Sequence, residues 1–219
     1  MFDFCFWFGI YNEFELAKRL VSQIQYHYSD IQVICVADGL DASFLNSNTT
    51  YIQGERLHLQ EFGGAWVKRM FLSFLEHSSA KAMIRVEPDT WINRKFNQLP
   101  GKEVAGNILV ANDKNYVHGG CAYFTREAIE KICTSNLLDN SKYITDSQFS
   151  YNRFQFPYLF GDEQPNNEVH IAEDIIYSDV VQQLNLNVEQ WDGVWSTVRD
   201  KCSNPQNYAV VHPVKSLCL

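Results

Sequence analysis

Short apolar segments alternate with longer amphipathic segments along this chain of 219 residues. The apolar segments have the length and composition of buried strands, and the longer ones repeat apolar residues at helical spacing. The predicted strands are residues 2–9, 208–211 and the segments QVICVADG, KAMIRVEPD, VAGNILVAN and HGGCAYF, with short extended pieces near Tyr51 and Leu57. The predicted helices are residues 12–28, 63–77, 172–184 and the segment that follows Thr125. This order predicts an α/β fold with one mostly parallel central sheet and helices on both faces.

Two of these predicted helices begin after a residue that can cap them. Asn12 is expected to cap the first helix, with Glu15 reaching back as in a capping box. Thr125 is expected to cap the helix REAIEKIC. Caps of this kind fix where a helix starts, so both are specific predictions about the fold.

The bulk composition excludes several classes of protein. The net charge is −8 with only 18 Lys and Arg residues, whereas nucleic-acid-binding proteins usually carry a basic surface. No apolar run approaches the ~18 residues of a membrane span, and the N-terminus lacks the basic region of a signal peptide. None of the six cysteines forms a CxxC pair, so we interpret most of them as reduced core residues. The length suits one large domain or two small ones, and since the sequence shows no convincing domain boundary, we expect a single domain over residues 1–219.

Several common catalytic motifs are absent from the sequence. It contains no GxGxxG turn for dinucleotides, no GxxxxGK[ST] loop for phosphates and no GxSxG nucleophile elbow. It also lacks the HExxH motif of zinc proteases. Any chemistry must therefore come from a different set of residues.

The predicted strand KAMIRV leads directly into Glu87, Pro88 and Asp89. In open α/β sheets, ligands bind at the carboxyl ends of the strands. Residues two apart in an extended segment point to the same side, so both carboxylates can face one ligand. Two such carboxylates repel each other unless a cation lies between them, and their oxygens suit Mn²⁺ or Mg²⁺. The alternative is an acidic turn without a ligand.

A second candidate group follows the last predicted strand, in the segment VVHPVK. His212 would add a nitrogen ligand of the kind that Mn²⁺ accepts. Lys215 would place a positive charge beside an anionic ligand. A histidine at the end of a strand is also a common hydrogen-bonded structural residue, so this segment alone leaves both interpretations open.

Two pairs of residues could approach a phosphate or a sugar. Lys68 and Arg69 lie in the first turns of the helix GGAWVKRMF, where phosphate oxygens are favoured, although both could simply face solvent. Gly119 and Gly120 allow the backbone to approach a ligand or to adopt a positive φ, but a tight turn between strands would need them equally.

The segment HIAEDIIYSD places Glu173 and Asp174 at the start of a predicted helix. Acidic residues there stabilise the helix dipole without any catalytic role. A carboxylate at this position could also act as a general base, if it reaches a substrate hydroxyl.

Taken in order, seven segments of the chain resemble the GT-A fold of nucleotide-sugar glycosyltransferases. They are WFGIYNE, VICVADG, GGAWVKRMF, MIRVEPDT, HGGCAYFTREA, IAEDIIYSDVVQQL and VVHPVK, and they span nearly the whole chain. The segment GGCAYFTREA followed by an ED helix is most similar to the fringe and β-1,3-galactosyltransferase side of that fold. The resemblance implies a Rossmann-like sheet and the metal-dependent transfer of a sugar from a nucleotide sugar, usually a UDP-sugar, to a glycan or glycoprotein acceptor.

The resemblance also implies roles for individual residues. EPD stands where the family has its DxD motif, so Asp89 would bind the metal and Glu87 its water shell or the ribose, although Glu87 departs from the family's Asp. His212 would be a further metal ligand, and Lys215 would contact the diphosphate. Asp174, or Glu173, would be the catalytic base. The residues implied to hold the nucleotide and shape the sugar pocket are Phe8, Gly9, Ile10, Tyr11, Asp38, Lys68, Arg69, Pro88, Gly119 and Gly120.

The implied reaction is a single in-line displacement that inverts the anomeric configuration, with a retaining route as the alternative if no carboxylate lies beneath the sugar. The acceptor is expected to bind the aromatic-rich segment 143–165. Two other functions stay open: a nucleotidyltransferase that makes the nucleotide sugar, and a non-catalytic sugar-binding module. Because the sequence shows no membrane anchor or stem, we expect a cytoplasmic enzyme of a microbe or virus, or a catalytic domain excised from a longer chain.

Overall fold

The computed structural model describes residues 3–39, 45, 49–57, 63–111, 114–140, 173–197 and 202–214. The strands are β1 (Phe4–Ile10), β2 (Val33–Asp38), β3 (Thr49–Gly54), β4 (Ala82–Val86), β5 (Trp91–Ile92), β6 (Val104–Ala111), β7 (Lys114–Thr125), β8 (Val188–Gln190), β9 (Val194–Ser196) and β10 (Val210–His212). The α-helices are α1 (Phe14–His27), α2 (Gly63–His77), α3 (Arg126–Thr134) and α4 (Glu173–Gln183). Among these described residues, no helix is both long enough and apolar enough to cross a membrane.

Seven of the described strands form one sheet in the order β3-β2-β1-β4-β7-β6-β8. Neighbouring strands are parallel except at β7, which runs antiparallel to both β4 and β6. Since β6 ends at Ala111 and β7 begins at Lys114, the connection is short enough only for an antiparallel hairpin. The predicted mostly parallel sheet is therefore confirmed, with β7 as its one reversed strand among those described. The strands β5, β10 and β9 form a second, smaller sheet.

Helices cover both faces of the large sheet, as predicted. Side chains alternate along β1, so that Phe6 and Phe8 pack in the same apolar cluster as Leu20 of α1. Trp7 points to the other face, where it joins Phe71 of α2 together with residues of α3 and α4. Both faces of the large sheet are therefore covered mainly by apolar side chains.

The predicted cap of α3 is confirmed, and the predicted cap of α1 is wrong. The Thr125 side chain accepts a hydrogen bond of 3.2 Å from the Ala128 amide. The helix α1 begins only at Phe14, after Glu13, and no side chain caps it. Instead, the Glu13 carboxylate accepts the amides of the two preceding residues, Tyr11 and Asn12, at 3.3 and 3.0 Å. Glu13 therefore occupies the N-cap position that the sequence predicted for Asn12, but its side chain does not cap the helix.

The parallel direction of β1, β2 and β4 brings their carboxyl ends to one edge of the sheet. The last residue of β4, Val86, lies opposite Cys121 of β7, so the chain leaves β4 beside Gly120. In the smaller sheet, β10 pairs with both β5 and β9, and this pairing brings His212 opposite Ser196. Segments far apart in sequence therefore meet at the end of β4.

Candidate active site

A tight turn holds the acidic segment that follows β4. The Thr90 amide donates to the Glu87 carbonyl at 3.0 Å, and the Glu87 amide donates to the Thr90 hydroxyl at 3.1 Å. That hydroxyl, which is fully buried, in turn donates to the Gly120 carbonyl of β7 at 3.0 Å. The turn is thus fixed to the sheet at both ends, so Glu87 and Asp89 have defined positions.

Glu87, Asp89 and His212 converge at this turn. One potential ligand atom from each lies within 4.8 Å of the other two. The His212 Nε2 atom is 2.9 Å from Asp89 Oδ1 and 3.8 Å from Glu87 Oε2. Two carboxylates and one imidazole form a mixed oxygen and nitrogen set that suits Mn²⁺. The residues present therefore fit the divalent cation that the sequence implied.

Gly120 makes room for this cluster. A Cβ atom at this position would overlap the His212 ring and the Ser196 hydroxyl. Gly119 also lies close to a side chain, since a Cβ there would be 2.8 Å from Arg85 Nη1. Both glycines lie within β7 and neither has a positive φ, so the predicted alternative of a tight turn is wrong. Close approach of neighbouring side chains explains both glycines.

A buried arginine, which the sequence analysis missed, links two of the acidic residues. Arg85 is 4 % exposed and its Nη2 atom pairs with Glu87 Oε1 at 2.6 Å and with Glu173 Oε1. The other oxygen of Glu173 accepts the indole N–H of Trp66 at 2.5 Å. Glu173 is therefore held by two buried partners and is a structural anchor in this geometry. An arginine within the apolar run MIRV was the signal that could have identified this network.

Replacing Arg85 with methionine is expected to lower the free energy of unfolding by about 3–5 kcal/mol. The reason is that the buried Glu173 carboxylate would lose its counter-ion, which costs more than the pair itself contributes. Lys81→Met is the matched control, because Lys81 pairs with Asp3 at 3.0 Å on the exposed surface, where about 1 kcal/mol or less is expected. Urea unfolding of both variants measures the difference, and equal losses would contradict the role assigned to Arg85.

Asp174 lies next to this network at the start of α4. Its Oδ2 atom accepts the Gly119 amide at 3.2 Å, while Oδ1 has no hydrogen-bond partner among the described residues. Burial raises the pKa of Asp174 to about 6, although the Arg85 guanidinium opposes the shift. A carboxylate with one unengaged oxygen and a pKa near neutrality can take up a proton at physiological pH.

A second missed feature is a chain of hydrogen-bonding side chains behind His212. The Ser196 hydroxyl lies 2.6 Å from His118 Nδ1 and 3.4 Å from His212 Nδ1. The Gly120 amide also approaches His118 Nδ1, at 3.3 Å. Burial, together with the nearby His212, lowers the pKa of His118 to about 4, so His118 is neutral near pH 7. The position of His118 two residues before Gly120 was the only sequence signal for it.

A cavity of about 120 Å³ opens beside the cluster at the ends of β1 and β2. Six of the predicted donor-site residues line it: Gly9, Ile10, Tyr11, Asp38, Glu87 and Pro88. The indole of Trp66 also lines the cavity, and a Cβ atom at Gly9 would overlap that indole. The structure therefore brings the predicted nucleotide-binding strand ends to the same place as the predicted metal ligands.

Other predicted residues lie away from this cavity. The Phe8 side chain is fully buried against α1, so the strand's end and not its side chain faces the cavity. Lys68 pairs with Asp139 at 2.7 Å, whereas Arg69 lies 3.7 Å from the Asp38 carboxylate and donates to the Glu55 carbonyl. Lys215 and the acceptor segment 143–165 lie outside the described residues.

Comparison with known structures identifies the fold. The galactosyltransferase LgtC, solved with donor and acceptor sugar analogues, superposes with a TM-score of 0.55 at 10 % identity, covering 94 % of this chain and 86 % of LgtC. An active-site mutant of LgtC matches with a TM-score of 0.54 at 11 % identity over the same shares. A mannosyltransferase from Pyrobaculum calidifontis, solved with GDP-Man and Mn²⁺, is more remote, with a TM-score of 0.45 at 12 % identity over 59 % of this chain and 46 % of its own. No protein-family model and no curated protein matches the sequence.

These likenesses show that the chain has the GT-A fold, as its sequence predicted. A fold alone does not define an activity, since function resides in the residues of the site. The fringe and β-1,3-galactosyltransferase side of the fold, which the sequence resembled most, is not tested by these neighbours and stays a prediction.

Proposed function

We propose that this protein is a metal-dependent glycosyltransferase that moves a sugar from a UDP-sugar to a hydroxyl of a glycan or glycoprotein. The observation that carries this proposal is the convergence of Glu87, Asp89 and His212 at the carboxyl edge of a GT-A sheet, directly beside a cavity. Ligands bind at this edge of open α/β sheets. The two solved LgtC structures, one of them with sugar analogues, support the same class of chemistry for this fold.

The donor would occupy the cavity between the strand ends and the metal ligands. Asp38, whose carboxylate already accepts the Leu57 amide at 2.6 Å, would face the ribose, and Tyr11 would face the base. Asp89 and His212 would hold Mn²⁺ or Mg²⁺, with Glu87 bound to it directly or through water. When bound, such a cation supplies positive charge to the departing diphosphate. Lys215, a short distance along the chain from His212, would add a second positive charge.

Asp174 is the residue that we propose as the base. Glu173, the other candidate, is occupied by Arg85 and Trp66, whereas one oxygen of Asp174 has no hydrogen-bond partner in the described part of the chain. Asp174 would remove the proton of the acceptor hydroxyl. At the same time the hydroxyl oxygen would attack the anomeric carbon, and the bond between the sugar and the diphosphate would break. One such displacement inverts the anomeric configuration. A product with the same anomeric configuration as the donor would contradict this role. Asp174 would then act on the donor sugar and not on the acceptor hydroxyl.

A nucleotidyltransferase is less well supported by the structure. Such an enzyme needs free, preferably basic, groups after the first strand to hold a triphosphate. Here the Glu13 carboxylate occupies the amides of Tyr11 and Asn12, so the loop after β1 presents a negative charge. This negative charge disfavours the binding of a triphosphate at that position.

Release of nucleoside diphosphate from a panel of UDP- and GDP-sugars tests the proposal. With Mn²⁺ present, we expect slow hydrolysis of one UDP-sugar even without an acceptor, because water can replace the acceptor hydroxyl. Hydrolysis of a GDP-sugar instead would show that the donor nucleotide contains guanine and not uracil. Binding of a nucleotide sugar without any release or transfer would instead identify a non-catalytic sugar-binding module.

A further inference from the structure

We propose that His118 and Ser196 form a hydrogen-bonded relay that holds His212 in the tautomer able to bind a divalent cation. The inference rests on the proposed function, since it concerns the metal site of that function. It assigns a positioning role to two buried residues that lie behind the cluster of ligands and do not belong to it. His118, Ser196 and His212 are 5 %, 0 % and 8 % exposed.

The direction of the relay is set by a backbone amide. The Gly120 amide nitrogen lies 3.3 Å from His118 Nδ1, and a backbone N–H can only donate. The Nδ1 atom of His118 is therefore an acceptor, and the proton of the neutral ring is on Nε2. Because this donor belongs to the backbone of β7, the tautomer of His118 is fixed by the fold.

The next two contacts follow from that assignment. Since His118 Nδ1 accepts, the Ser196 hydroxyl at 2.6 Å must donate its proton to it. The Ser196 oxygen then has lone pairs available for a donor, and the group that approaches it is His212 Nδ1 at 3.4 Å. The neutral His212 ring therefore carries its proton on Nδ1, which leaves the lone pair on Nε2.

The Nε2 atom of His212 is the one that faces the carboxylates, at 2.9 Å from Asp89 and 3.8 Å from Glu87. A histidine binds a metal through an unprotonated nitrogen, and the bond made by its other nitrogen determines which one that is. The relay thus presents the correct atom to the ion. The pairing of β9 with β10 also holds the His212 ring in place, because it sets Ser196 opposite His212. The Asn107 side chain donates to the Ser196 carbonyl and so fixes Ser196.

A titration of the protein with Mn²⁺ in the absence of nucleotide tests the relay. The electron paramagnetic resonance signal of free Mn²⁺ measures how much of the ion is bound. Ser196→Ala and His118→Leu should each weaken Mn²⁺ binding by about 10- to 100-fold, the usual cost of losing such a partner. The double variant should be no weaker than either single one, because a relay broken once is already lost. His118→Asn is the matched control, since its Oδ1 atom restores an acceptor near the Nδ1 position and should keep most of the affinity.

Two comparisons separate the relay from the metal site itself. If Asp89→Ala abolishes Mn²⁺ binding while Ser196→Ala and His118→Leu bind like wild type, the relay is overturned and the metal site stands. If the wild type does not bind Mn²⁺, both are overturned. Nitrogen-15 spectra of the histidine rings in the wild-type protein add a test that needs no variant. They should show His118 protonated on Nε2, and a proton on Nδ1 would overturn the relay.

Discussion

Replacing Asp89 with alanine is expected to abolish Mn²⁺-dependent donor binding and to lower the rate of sugar transfer by at least about 10³-fold. The ion would stabilise the charge that develops on the diphosphate by several kcal/mol, and each 1.36 kcal/mol is a factor of ten in rate. Asp89 is the partner of His212 at 2.9 Å and its side chain is largely buried in the cluster. Its loss leaves a histidine and one half-exposed glutamate, which form a poor site.

The rate of nucleoside diphosphate release at saturating Mn²⁺ measures this effect. Asp192→Ala is a suitable control, because Asp192 is an exposed carboxylate in the turn that separates β8 from β9. We expect the control to retain wild-type rates and wild-type metal dependence. Full Mn²⁺-dependent turnover by Asp89→Ala would show that the EPD turn does not hold the ion.

Replacing Asp174 with asparagine is expected to lower the rate of transfer by about 10²- to 10⁴-fold, the range of general acid–base catalysis. Asparagine keeps the acceptor for the Gly119 amide, so the site should stay folded, but it cannot take up a proton. The affinity for the donor should change little, because Asp174 does not line the donor cavity. Asp179→Asn, further along α4, is the matched control and should transfer at the wild-type rate.

The pH dependence of kcat/KM provides an independent test of the same residue. A base works only in its unprotonated form, and burial raises the pKa of Asp174 to about 6. The rate should therefore fall about tenfold for each pH unit below about pH 6 and level off above it. In Asp174→Asn this acidic limb should be absent. An unchanged limb in the variant would assign the titration to a different group.

The fold was largely predictable because its periodicities are strong. The apolar segment 2–9 predicted the strand β1, and apolar residues at helical spacing predicted the helix that the structure places at Gly63–His77. The features that the sequence did not predict depend on competition between neighbouring polar groups or on how the strands pair. The cap of α1 was misassigned because Glu13 satisfies nearby amides, and the reversed direction of β7 depends on a short connection that periodicity does not reveal.

The candidate site was predictable only where a residue carries its own signal. A carboxylate pair after a buried strand and a histidine after the last strand are visible in the sequence, and the fold brings Glu87, Asp89 and His212 together. Ser196 gave no such signal, because its contact with both histidines is created by the pairing of β9 with β10. Arg85 was visible as a charge within an apolar run, but its partner Glu173 comes from α4, almost ninety residues further along.

The measurement that tests the central claim most directly is a calorimetric titration of UDP-sugars into the wild-type protein, with Mn²⁺ and again with excess EDTA. The proposed site at Asp89 and His212 predicts that one UDP-sugar binds in the presence of Mn²⁺ and that EDTA removes this binding. If no nucleotide sugar binds, or if EDTA leaves the binding unchanged, the protein has the GT-A fold without the metal-dependent donor site proposed for it.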